Sequence, residues 1–508
     1  MATDHQRLDS LLTSACTRFA DRPALTDDTG SLTYAELAAE AAALRTELVS
    51  AGHRAAAPVL VRVGNRSADL AAQLAVWQAR GIVVPVHRST PDAVLSETAE
   101  RTGARLVLDV AHTAGDRTRG LGPARARVPG ELDADQALVA FTSGTTGRPK
   151  GVVLSHRALT AKLRAVAEVL PFRPGDQALQ VLQLNFTFGQ WTSLLTLATG
   201  GTLHLLPRFD APGVLRRLAA RPADRIAVVP SMLRLVDREL STPGTGAELS
   251  AALRASGGPR TWITGGEPLP AGLGRRLQAA LPGSGIADVY GLSETSTSDF
   301  ILTPDQYGTA AGTIGRPSPG VEFRIATGDG PPRPPVPGTV GELCLRTPHL
   351  MTGYLDDPAA TRAAMDGDWL RTGDLATVRP ADGMVELVGR KKQLISRGGA
   401  KIAPLEVERP YTQHPAGAGC LAVGVPDPML GERVHLLFVA APGTSPTEEE
   451  LRAHGRRHLE PYQVPERVHF VTELPLGRTG KTDRAAAARL AVAATAGAGA
   501  GAETGASR

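Results

Sequence analysis

Residues 141–151 combine the groups that are needed to hold a phosphate. They follow an apolar stretch at 137–140 and read Phe141-Thr142-Ser143-Gly144-Thr145-Thr146-Gly147-Arg148-Pro149-Lys150-Gly151. The glycines allow backbone N–H groups to converge on an anion, the hydroxyl side chains add donors, and Lys150 supplies positive charge. An ordinary surface turn rich in Ser, Thr and Gly would not require this whole combination. The segment therefore predicts a phosphate-binding loop.

Neither this loop nor a second Gly- and Lys-containing segment has the pattern of a Walker A loop. In 141–151 the spacing differs and Pro149 stands directly before the lysine. The segment at 477–482 ends like a Walker A motif, but Pro475 stands upstream where a glycine would be needed. A kinase-like nucleotide site is therefore disfavoured.

Other short motifs flank the loop in a fixed order along the chain. They are Leu32-Thr33-Tyr34-Ala35-Glu36-Leu37, Gly265-Gly266-Glu267-Pro268-Leu269, Tyr290-Gly291-Leu292-Ser293-Glu294-Thr295, Gly341-Glu342-Leu343, Gly353-Tyr354, Trp369-Leu370-Arg371-Thr372-Gly373-Asp374, Gly389-Arg390-Lys391-Lys392, the stretch 398–408 and the stretch 475–481. Together with the loop they resemble the adenylate-forming superfamily, which includes acyl- and aryl-CoA ligases, stand-alone adenylation domains and luciferases. The resemblance covers residues 30 to 485.

The resemblance implies a two-step ligase that uses ATP and Mg²⁺. A carboxylic acid would attack the α-phosphate of ATP, pyrophosphate would leave, and the acyl group would pass to the thiol of CoA or of phosphopantetheine. The first step brings negative groups together and requires charge neutralisation more than acid–base catalysis. Lys481, Thr142 and Glu294 are the catalytic residues that this resemblance implies, and Glu294 is the implied Mg²⁺ ligand.

The implied nucleotide contacts come from all the main motifs. Tyr290 would stack on the adenine, Asp374 would accept hydrogen bonds from the ribose hydroxyls, and Lys481 would bridge the reacting carboxylate and phosphate. The full set that the resemblance implies is Ser143, Gly144, Thr145, Thr146, Lys150, Gly265, Gly266, Glu267, Asp288, Tyr290, Ser293, Asp374 and Arg390. Many relatives have Asn at position 288. Lys392 occupies the hinge about which the C-terminal domain of such enzymes rotates between the two half-reactions.

The segment 182–190 departs from two patterns of the superfamily in a way that bears on the acid. Amino-acid-activating domains place an Asp at the position of Gly189 to pair with the substrate ammonium, and an ammonium buried without a partner would be costly. Many CoA ligases have a His at the position of Phe186. By alignment the acid pocket would be lined by Phe188, Gly189, Ser193, Val289, Thr297 and Ser298. This lining favours an aryl or functionalised short- or medium-chain acid over an α-amino acid.

Three other interpretations compete with CoA ligation. A stand-alone adenylation enzyme would load a carrier-protein phosphopantetheine or another nucleophile and would share the first half-reaction. An inactive nucleotide-binding relative would have no need of Lys481, Glu294, Asp374 and Arg390 together. A serine hydrolase is disfavoured because the chain lacks a GxSxG segment with a paired His.

Alternating helical and strand-like patterns in the first 300 residues predict a layered α/β fold that positions these motifs at strand ends. An Ala-rich helix at 35–50 precedes the apolar run 58–63, and similar runs recur at 81–86, 105–108, 225–229 and 261–264. Short strands and Gly/Pro turns predict a β-rich subdomain at about 310–390. The predicted organisation is an N-terminal domain at 1–390, a mobile α+β domain at 391–490 that carries Lys481, and a disordered tail at 491–508.

Composition is typical of a globular enzyme, and the N-terminal residues predict no export signal. Hydrophobic residues make up 42% and charged residues 21%, and the net charge of +4 is not typical of a nucleic-acid-binding protein. Cys16, Cys344 and Cys420 are far apart, which indicates neither a disulfide framework nor a CxxC metal site. The N-terminus lacks a basic and apolar leader, and no run is long enough to cross a membrane. The sequence thus predicts a cytoplasmic enzyme whose partners are small molecules or a carrier protein.

Overall fold

The computed structural model describes residues 7–110, 118–120, 132–142, 149–328, 330–477 and 481–502. Its α-helices within these residues are α1 Leu8–Arg18, α2 Tyr34–Ser50, α3 Ser67–Gln78, α4 Asp92–Thr102, α5 His156–Val169, α6 Thr187–Ala198, α7 Ala211–Ala220, α8 Pro230–Leu240, α9 Thr245–Ser256, α10 Ala271–Ala280, α11 Pro304–Ala310, α12 Pro358–Ala363, α13 Pro404–Thr412, α14 Glu448–His458 and α15 Arg484–Ala502. No helix in these ranges is both long and apolar enough to span a lipid bilayer.

The strands alternate with the helices over the first two-thirds of the chain. In chain order they are β1 Pro23–Asp27, β2 Gly30–Thr33, β3 Pro58–Val63, β4 Ile82–His87, β5 Leu106–Leu108, β6 Thr118–Gly120, β7 Gln136–Thr142, β8 Lys150–Ser155, β9 Gln177–Gln180, β10 Thr202–Leu205, β11 Arg225–Val228, β12 Thr261–Gly265, β13 Gly285–Tyr290, β14 Phe300–Leu302, β15 Arg316–Pro317, β16 Glu322–Ala326, β17 Gly341–Arg346, β18 Gly353–Tyr354, β19 Met365–Asp366, β20 Trp369–Val378, β21 Val385–Arg390, β22 Ile395–Arg397, β23 Ala400–Ile402, β24 Gly417–Asp427, β25 Gly431–Ala440 and β26 Arg467–Phe470.

Two large mixed sheets form the N-terminal part. One has the order β18-β8-β7-β4-β3-β5-β6 and the other the order β15-β14-β13-β12-β11-β9-β10-β1-β2. A single core joins them, since buried side chains of α1, α2, α3, α5 and α6 pack with residues from both sheets. Separate cores cover the outer faces, one with α4 and one with α7 to α11. Layers of sheet and helix that share cores in this way are typical of α/β folds.

The motif at 32–37 has a structural role at the start of α2. Thr33 is the N-cap, and its hydroxyl accepts a hydrogen bond from the backbone N–H of Glu36 at 3.2 Å. The Glu36 carboxylate accepts in return from the backbone N–H of Thr33 at 2.7 Å. This capping box satisfies backbone donors that a helix start leaves free. The motif therefore starts a helix of the shared core.

Two smaller sheets follow. The β-rich subdomain contains β16-β17-β20-β19 with β21 on β20, and the C-terminal sheet contains β23-β22-β25-β24 with β26 on β25. Buried apolar side chains on α13, α14 and this C-terminal sheet form their own core. A separate core of this kind is what a small domain needs to move as a unit.

The predicted fold class is confirmed: a large N-terminal α/β part with a β-rich subdomain precedes a small α+β part. The predicted strands at 58–63, 81–86, 225–229 and 261–264 correspond to β3, β4, β11 and β12. The domain limits near 390 and 490 stay predictions.

The structure differs from the sequence-based expectation at 491–502, the described part of the stretch 491–508 that composition placed in a disordered tail. Helix α15 continues to Ala502, and Ala491 is buried with Ala487 against β24 and β25. Alanine has the highest helix propensity of all residues, and small side chains allow a helix to lie close to a sheet. Low hydrophobic content alone was a poor guide here.

Candidate active site

The ends of the parallel strands β12 and β13 form the floor of the candidate site. Gly265 ends β12 opposite Val289 of β13, and a Cβ on Gly265 would lie 2.3 Å from the carbonyl oxygen of Val289. Gly266 follows with a φ of +84°, a conformation that glycine adopts without strain. The two glycines thus turn the chain sharply at the carboxyl edge of the sheet, where ligands bind in open α/β sheets.

Lys481 reaches this glycine turn from the C-terminal part of the chain. A Cβ on Gly266 would lie 3.1 Å from the Lys481 Nζ atom. The next residue fixes this approach, because the backbone N–H of Thr482 donates to Oε1 of Glu267 at 2.7 Å. The other oxygen of Glu267 lies 3.3 Å from Nη2 of Arg234 on α8. The Lys481 side chain as a whole is exposed, but desolvation around its ammonium lowers the pKa of Lys481. The charge of Arg390 lowers this pKa further, whereas the charge of Glu267 raises it.

Asp374, Arg390 and Tyr290 form a compact polar cluster. Asp374 and Arg390 are cross-strand partners on β20 and β21, and the Arg390 guanidinium donates from Nε to Oδ1 and from Nη2 to Oδ2 of Asp374, the latter at 3.3 Å. Directly opposed residues share one face of a sheet, which explains the pairing. The Tyr290 hydroxyl donates to Oδ2 of Asp374 at 2.8 Å. Burial, aided by Asp374, raises the pKa of Tyr290 well above its usual range.

Glu342 supports the part of strand β20 that carries Asp374. Its Oε1 atom accepts from the backbone N–H of Gly373 at 3.0 Å, while Oε2 accepts from Arg371 at 2.9 Å and from Lys391 at 3.3 Å. The side chain of Glu342 is only 5% exposed. A buried carboxylate with three donors is well satisfied and holds this part of the strand firmly.

A second cluster joins the phosphate loop to Glu294. Strand β18 pairs with β8, and Tyr354 lies opposite Val152, two residues after Lys150. The Lys150 Nζ atom lies 4.2 Å from the centroid of the Tyr354 ring, within the range of a cation–π interaction. The Tyr354 hydroxyl donates to Oε1 of Glu294 at 2.8 Å, and the Glu294 carbonyl accepts from the Met351 N–H at 2.7 Å. Thr142, the cross-strand partner of Lys150, donates its hydroxyl to the Lys150 carbonyl at 3.5 Å.

The surroundings of Glu294 fit a Mg²⁺ ion that is held largely by substrate phosphates. The described residues contain no cluster of three or more His, Cys, Asp or Glu side chains arranged for a metal. Magnesium is commonly bound through one or two carboxylates together with phosphate oxygens and water. Glu294 is partly buried, and Tyr354 occupies one of its carboxylate oxygens. A single oriented carboxylate is the donor set that such a site requires.

A small apolar cluster lies beside the glycine turn, and its members Phe188 and Met232 also pack against the large cores. A small buried cluster contains Leu182, Ala227 and Val229, with Phe188 and Met232 packed against it. Phe188 also stacks on Trp191, with ring centroids 5.8 Å apart and planes 12° from parallel. A Cβ on Gly189 would lie 2.5 Å from the carbonyl oxygen of Gln183, so the fold leaves no room for a side chain at position 189.

The hydroxyl groups predicted to line the pocket are engaged in the protein. Ser193 donates to the Gly189 carbonyl at 2.8 Å, and Thr297 and Ser298 lie within hydrogen-bonding distance of each other at 3.1 Å. Ser293, which was predicted as a nucleotide contact, lies within hydrogen-bonding distance of Thr187 at 3.2 Å. The hydroxyls of Ser193, Thr297 and Ser298 thus have hydrogen-bond partners within the protein.

The remaining predicted positions differ in what can be said of them. Ser143, Gly144, Thr145 and Thr146 lie outside the described residues. Asp288 lies on β13 and is 6% exposed; burial raises the pKa of its carboxyl well above the usual range. Lys392 lies in a single 3₁₀ turn between β21 and β22, at the start of the C-terminal part.

Sequence reasoning gave no role to Tyr354, Glu342 or Lys162. Tyr354 and Glu342 stand in two of the quoted motifs, so their position in the ordered set was a signal that could have been used. Lys162 pairs with Asp299 inside the protein. A lysine within the apolar stretch 158–166 is unusual, since buried lysines are nearly always paired.

Comparison with known proteins gives consistent matches. The model of the AMP-binding enzyme family matches residues 12–355, and the model of the AMP-binding enzyme C-terminal domain matches residues 406–481. A sulfoacetate–CoA ligase of Cupriavidus necator is 31% identical, with 94% of this chain and 96% of that protein covered. A feruloyl-CoA synthase of Amycolatopsis sp is 32% identical, with 89% and 92% covered.

A solved structure is also similar over nearly the whole chain. It is the anthranilate CoA ligase AuaEII in complex with anthranoyl-AMP, with a TM-score of 0.83, 22% identity, and 96% of this chain and 98% of that chain covered. At this identity the likeness concerns the fold. The family matches cover both the part that carries Glu294 and Tyr354 and the part that carries Lys481.

Proposed function

The chain belongs to the AMP-binding enzyme family and is an AMP-forming acid–thiol ligase, and on that premise we propose that it joins an aryl or functionalised short- or medium-chain monocarboxylic acid to CoA. The approach of Lys481 to the Gly266–Glu267 turn carries this proposal. It brings a cation from the C-terminal part of the chain to the carboxyl edge of the β12–β13 sheet. Arg390 of the Asp374 cluster lies within electrostatic range of both Lys481 and Glu294.

The chemistry follows from the charges of these groups. In adenylation a carboxylate oxygen forms a bond to the α-phosphorus while the bond to the β-phosphate bridging oxygen breaks, and pyrophosphate leaves. The reacting groups are all anionic, so fixed cations lower the barrier. Lys481 would neutralise charge between carboxylate and phosphate, and Lys150 would do so on the phosphate side. Mg²⁺, held by Glu294, would neutralise the charge of the phosphates.

The Asp374 cluster would hold the nucleotide. An ionised carboxylate accepts strong hydrogen bonds from paired hydroxyl groups such as those of a ribose. Arg390 pairs with Asp374 and orients it, and Tyr290 donates to Oδ2 of the same carboxylate. These three side chains would therefore bind and orient the nucleotide without taking part in proton transfer.

The pocket wall supports a monocarboxylic acid with an apolar or aromatic tail. Gly189 has no space for a carboxylate that could pair with a substrate ammonium. Lys162, the cation that approaches the 297–298 wall, is already paired with Asp299. Lys162 is therefore not available to pair with a second acidic group on the substrate, and burying such a group without a partner would be costly. Phe188, which is partly exposed and stacks on the buried Trp191, offers an aromatic ring that suits a planar tail.

A pyrophosphate-release screen tests the proposal. Purified protein would be supplied with ATP and Mg²⁺ and with aryl, fatty, dicarboxylic and amino acids in turn, with and without CoA. We expect acid-dependent pyrophosphate release that is highest with aryl or functionalised monocarboxylic acids, and acyl-CoA as the product when CoA is present. Preference for standard amino acids would contradict the argument from Gly189.

One alternative acceptor remains in the same reaction class. Phosphopantetheine on a carrier protein presents the same thiol as CoA, and another nucleophile could also accept the acyl group. The same screen separates these cases, because an enzyme that does not use CoA would form the acyl-adenylate but no acyl-CoA. An inactive nucleotide-binding protein would bind ATP and release no pyrophosphate with any acid.

A further inference from the structure

The chain directly after Glu294 adopts a strained turn. Residues Ser296, Thr297 and Ser298 have φ angles of 59°, 66° and 52°. Side chains other than glycine rarely adopt this left-handed conformation, and three consecutive cases, one of them β-branched, are unfavourable. Such strain persists only where the surrounding structure enforces it, and it is concentrated at functional sites.

Backbone contacts close the turn on one side. The Thr297 N–H donates to the Leu292 carbonyl at 2.8 Å. A Cβ on Gly291 would lie 2.2 Å from the backbone nitrogen of Ser298, so the turn packs directly against the Gly291 backbone. The Ser298 carbonyl accepts from the Ser318 hydroxyl at 2.9 Å. The turn is thus seated at the end of β13.

A buried ion pair holds the other side. The Lys162 Nζ atom on α5 lies 2.8 Å from Oδ1 of Asp299 and 3.4 Å from the Ser298 carbonyl oxygen. The side chains of Lys162 and Asp299 are 1% and 0% exposed. The second oxygen of Asp299 accepts from the Thr295 hydroxyl. Burial lowers the pKa of Lys162 and raises that of Asp299, while each charge favours the ionised form of the other.

The pair touches both ends of the strained turn. Through Thr295 it contacts the residue after Glu294, and through Ser298 it contacts the predicted acid-pocket wall. A buried ion pair usually stabilises a fold no better than well-packed apolar residues of similar size, because both charges lose their hydration. Its value here lies in the specific groups that it orients.

We propose that Lys162 and Asp299 are positioning residues that determine how the enzyme binds its carboxylic acid, by fixing the 295–298 turn between the metal ligand and the pocket wall. This inference rests on the proposed function. The two residues do not contact the nucleotide cluster at Asp374 in the described structure. Losing the pair should therefore raise the KM for the acid much more than the KM for ATP.

The first test compares kinetic constants for the two substrates. In Lys162→Met we expect the KM for the acid to rise about 10-fold or more, since a displaced pocket wall loses contacts with the bound acid and each ~1.4 kcal/mol of lost binding is tenfold. The KM for ATP should change much less, because the pair reaches Glu294 only through Thr295. Equal changes in both constants would overturn the proposal.

A double variant separates positioning from folding. Lys162→Met combined with Asp299→Leu replaces the pair by apolar side chains of similar size and should recover the thermal stability that the single variant loses. We expect its KM for the acid to stay high, because neither side chain can bond to Ser298 or Thr295. Recovery of the acid KM together with stability would show a merely structural pair and would overturn the proposal.

A matched control is available at the opposite edge of the sheet. Asp176 and Arg225 form a partly buried pair at 2.6 Å, with side chains 12% and 13% exposed, at the amino ends of β9 and β11. Asp176→Asn should lower the thermal stability and leave both KM values unchanged. Wild-type protein without acid-dependent pyrophosphate release would refute the proposed function itself, whereas an active wild type with unchanged acid KM in Lys162→Met would refute only this inference.

Discussion

The nucleotide side and the acid side of the candidate site are built in different ways. On the nucleotide side, charged and polar side chains contact one another directly: Arg390 and Tyr290 with Asp374, and Tyr354 with Glu294. On the acid side, the walls are apolar rings and backbone, and the hydroxyls of Ser193 and Thr297 bond within the protein. Phosphate and ribose are recognised by fixed charges, whereas the tail of a carboxylic acid is recognised by the shape of its pocket.

This difference distinguishes the part of the site that recognises ATP from the part that selects the carboxylic acid. Charged clusters that recognise ATP have a defined chemistry, and changing one member should affect ATP and Mg²⁺ most. A pocket shaped by backbone can accept different tails through small changes of packing. The following predictions test whether the two sides are as separate as the structure suggests.

Lys481 stands between the two sides, so its loss should have the largest effect. In Lys481→Ala we expect adenylation to fall by roughly 100- to 1,000-fold, the usual loss when one fixed group that stabilises a transition state is removed. Acid-dependent ATP–pyrophosphate exchange measures this step alone. Arg489→Ala removes an exposed cation on α15 and should leave the exchange unchanged. Comparable losses in the two variants would contradict the assigned role.

Asp374→Asn tests the nucleotide side. It removes the charge that pairs with Arg390, and hydrogen bonds to charged groups are worth about 1.5–3 kcal/mol, or roughly 10- to 100-fold in binding. We expect the KM for ATP to rise by this factor with little change in the KM for the acid. Steady-state kinetics with each substrate varied in turn would check the split. A similar rise in KM for both substrates would contradict the separation of the nucleotide side from the acid side.

Tyr354→Phe tests the link between Lys150 and Glu294. The variant keeps the ring under the Lys150 ammonium and removes the hydroxyl that donates to Glu294, a bond worth about 1–2 kcal/mol. We expect the Mg²⁺ concentration for half-maximal pyrophosphate exchange to rise several-fold, and Mg²⁺-dependent ATP binding measured by calorimetry to weaken.

Tyr307→Phe is the matched control for this variant. The Tyr307 hydroxyl is buried and has no hydrogen-bond partner among the described residues, so its removal should leave the Mg²⁺ dependence unchanged. An unaltered Mg²⁺ requirement in Tyr354→Phe would show that the hydroxyl does not orient Glu294.

Gly266→Ala should have the smallest effect on the reaction. The added Cβ would lie 3.0 Å from Cε of Lys481, at the end of a flexible side chain that can move aside by a few tenths of an ångström. We expect adenylation to fall by a few-fold. Gly283→Ala imposes the same kind of backbone strain, with φ at +97° and no atom within 4 Å of the new Cβ. If both variants slow adenylation equally, strain rather than contact with Lys481 is the cause.

The sequence was a good guide wherever a residue type defines the chemistry or a pattern defines an element. The layered fold and most strands followed from motifs and apolar runs. The Lys162–Asp299 pair did not, because 137 residues separate its members along the chain and only tertiary packing brings them together. The use of pocket hydroxyls within the protein was also hidden, since a serine in a sequence shows no partner. Helix α15 shows that an Ala-rich tail can dock where its small side chains fit a sheet.

Acid-dependent ATP–pyrophosphate exchange by the purified protein tests the central claim most directly. The account predicts that exchange requires a carboxylic acid and Mg²⁺, is highest with aryl or functionalised monocarboxylic acids, and is nearly abolished in Lys481→Ala. Exchange that proceeds without any acid, or that persists in Lys481→Ala, would contradict acyl-adenylate formation at this site.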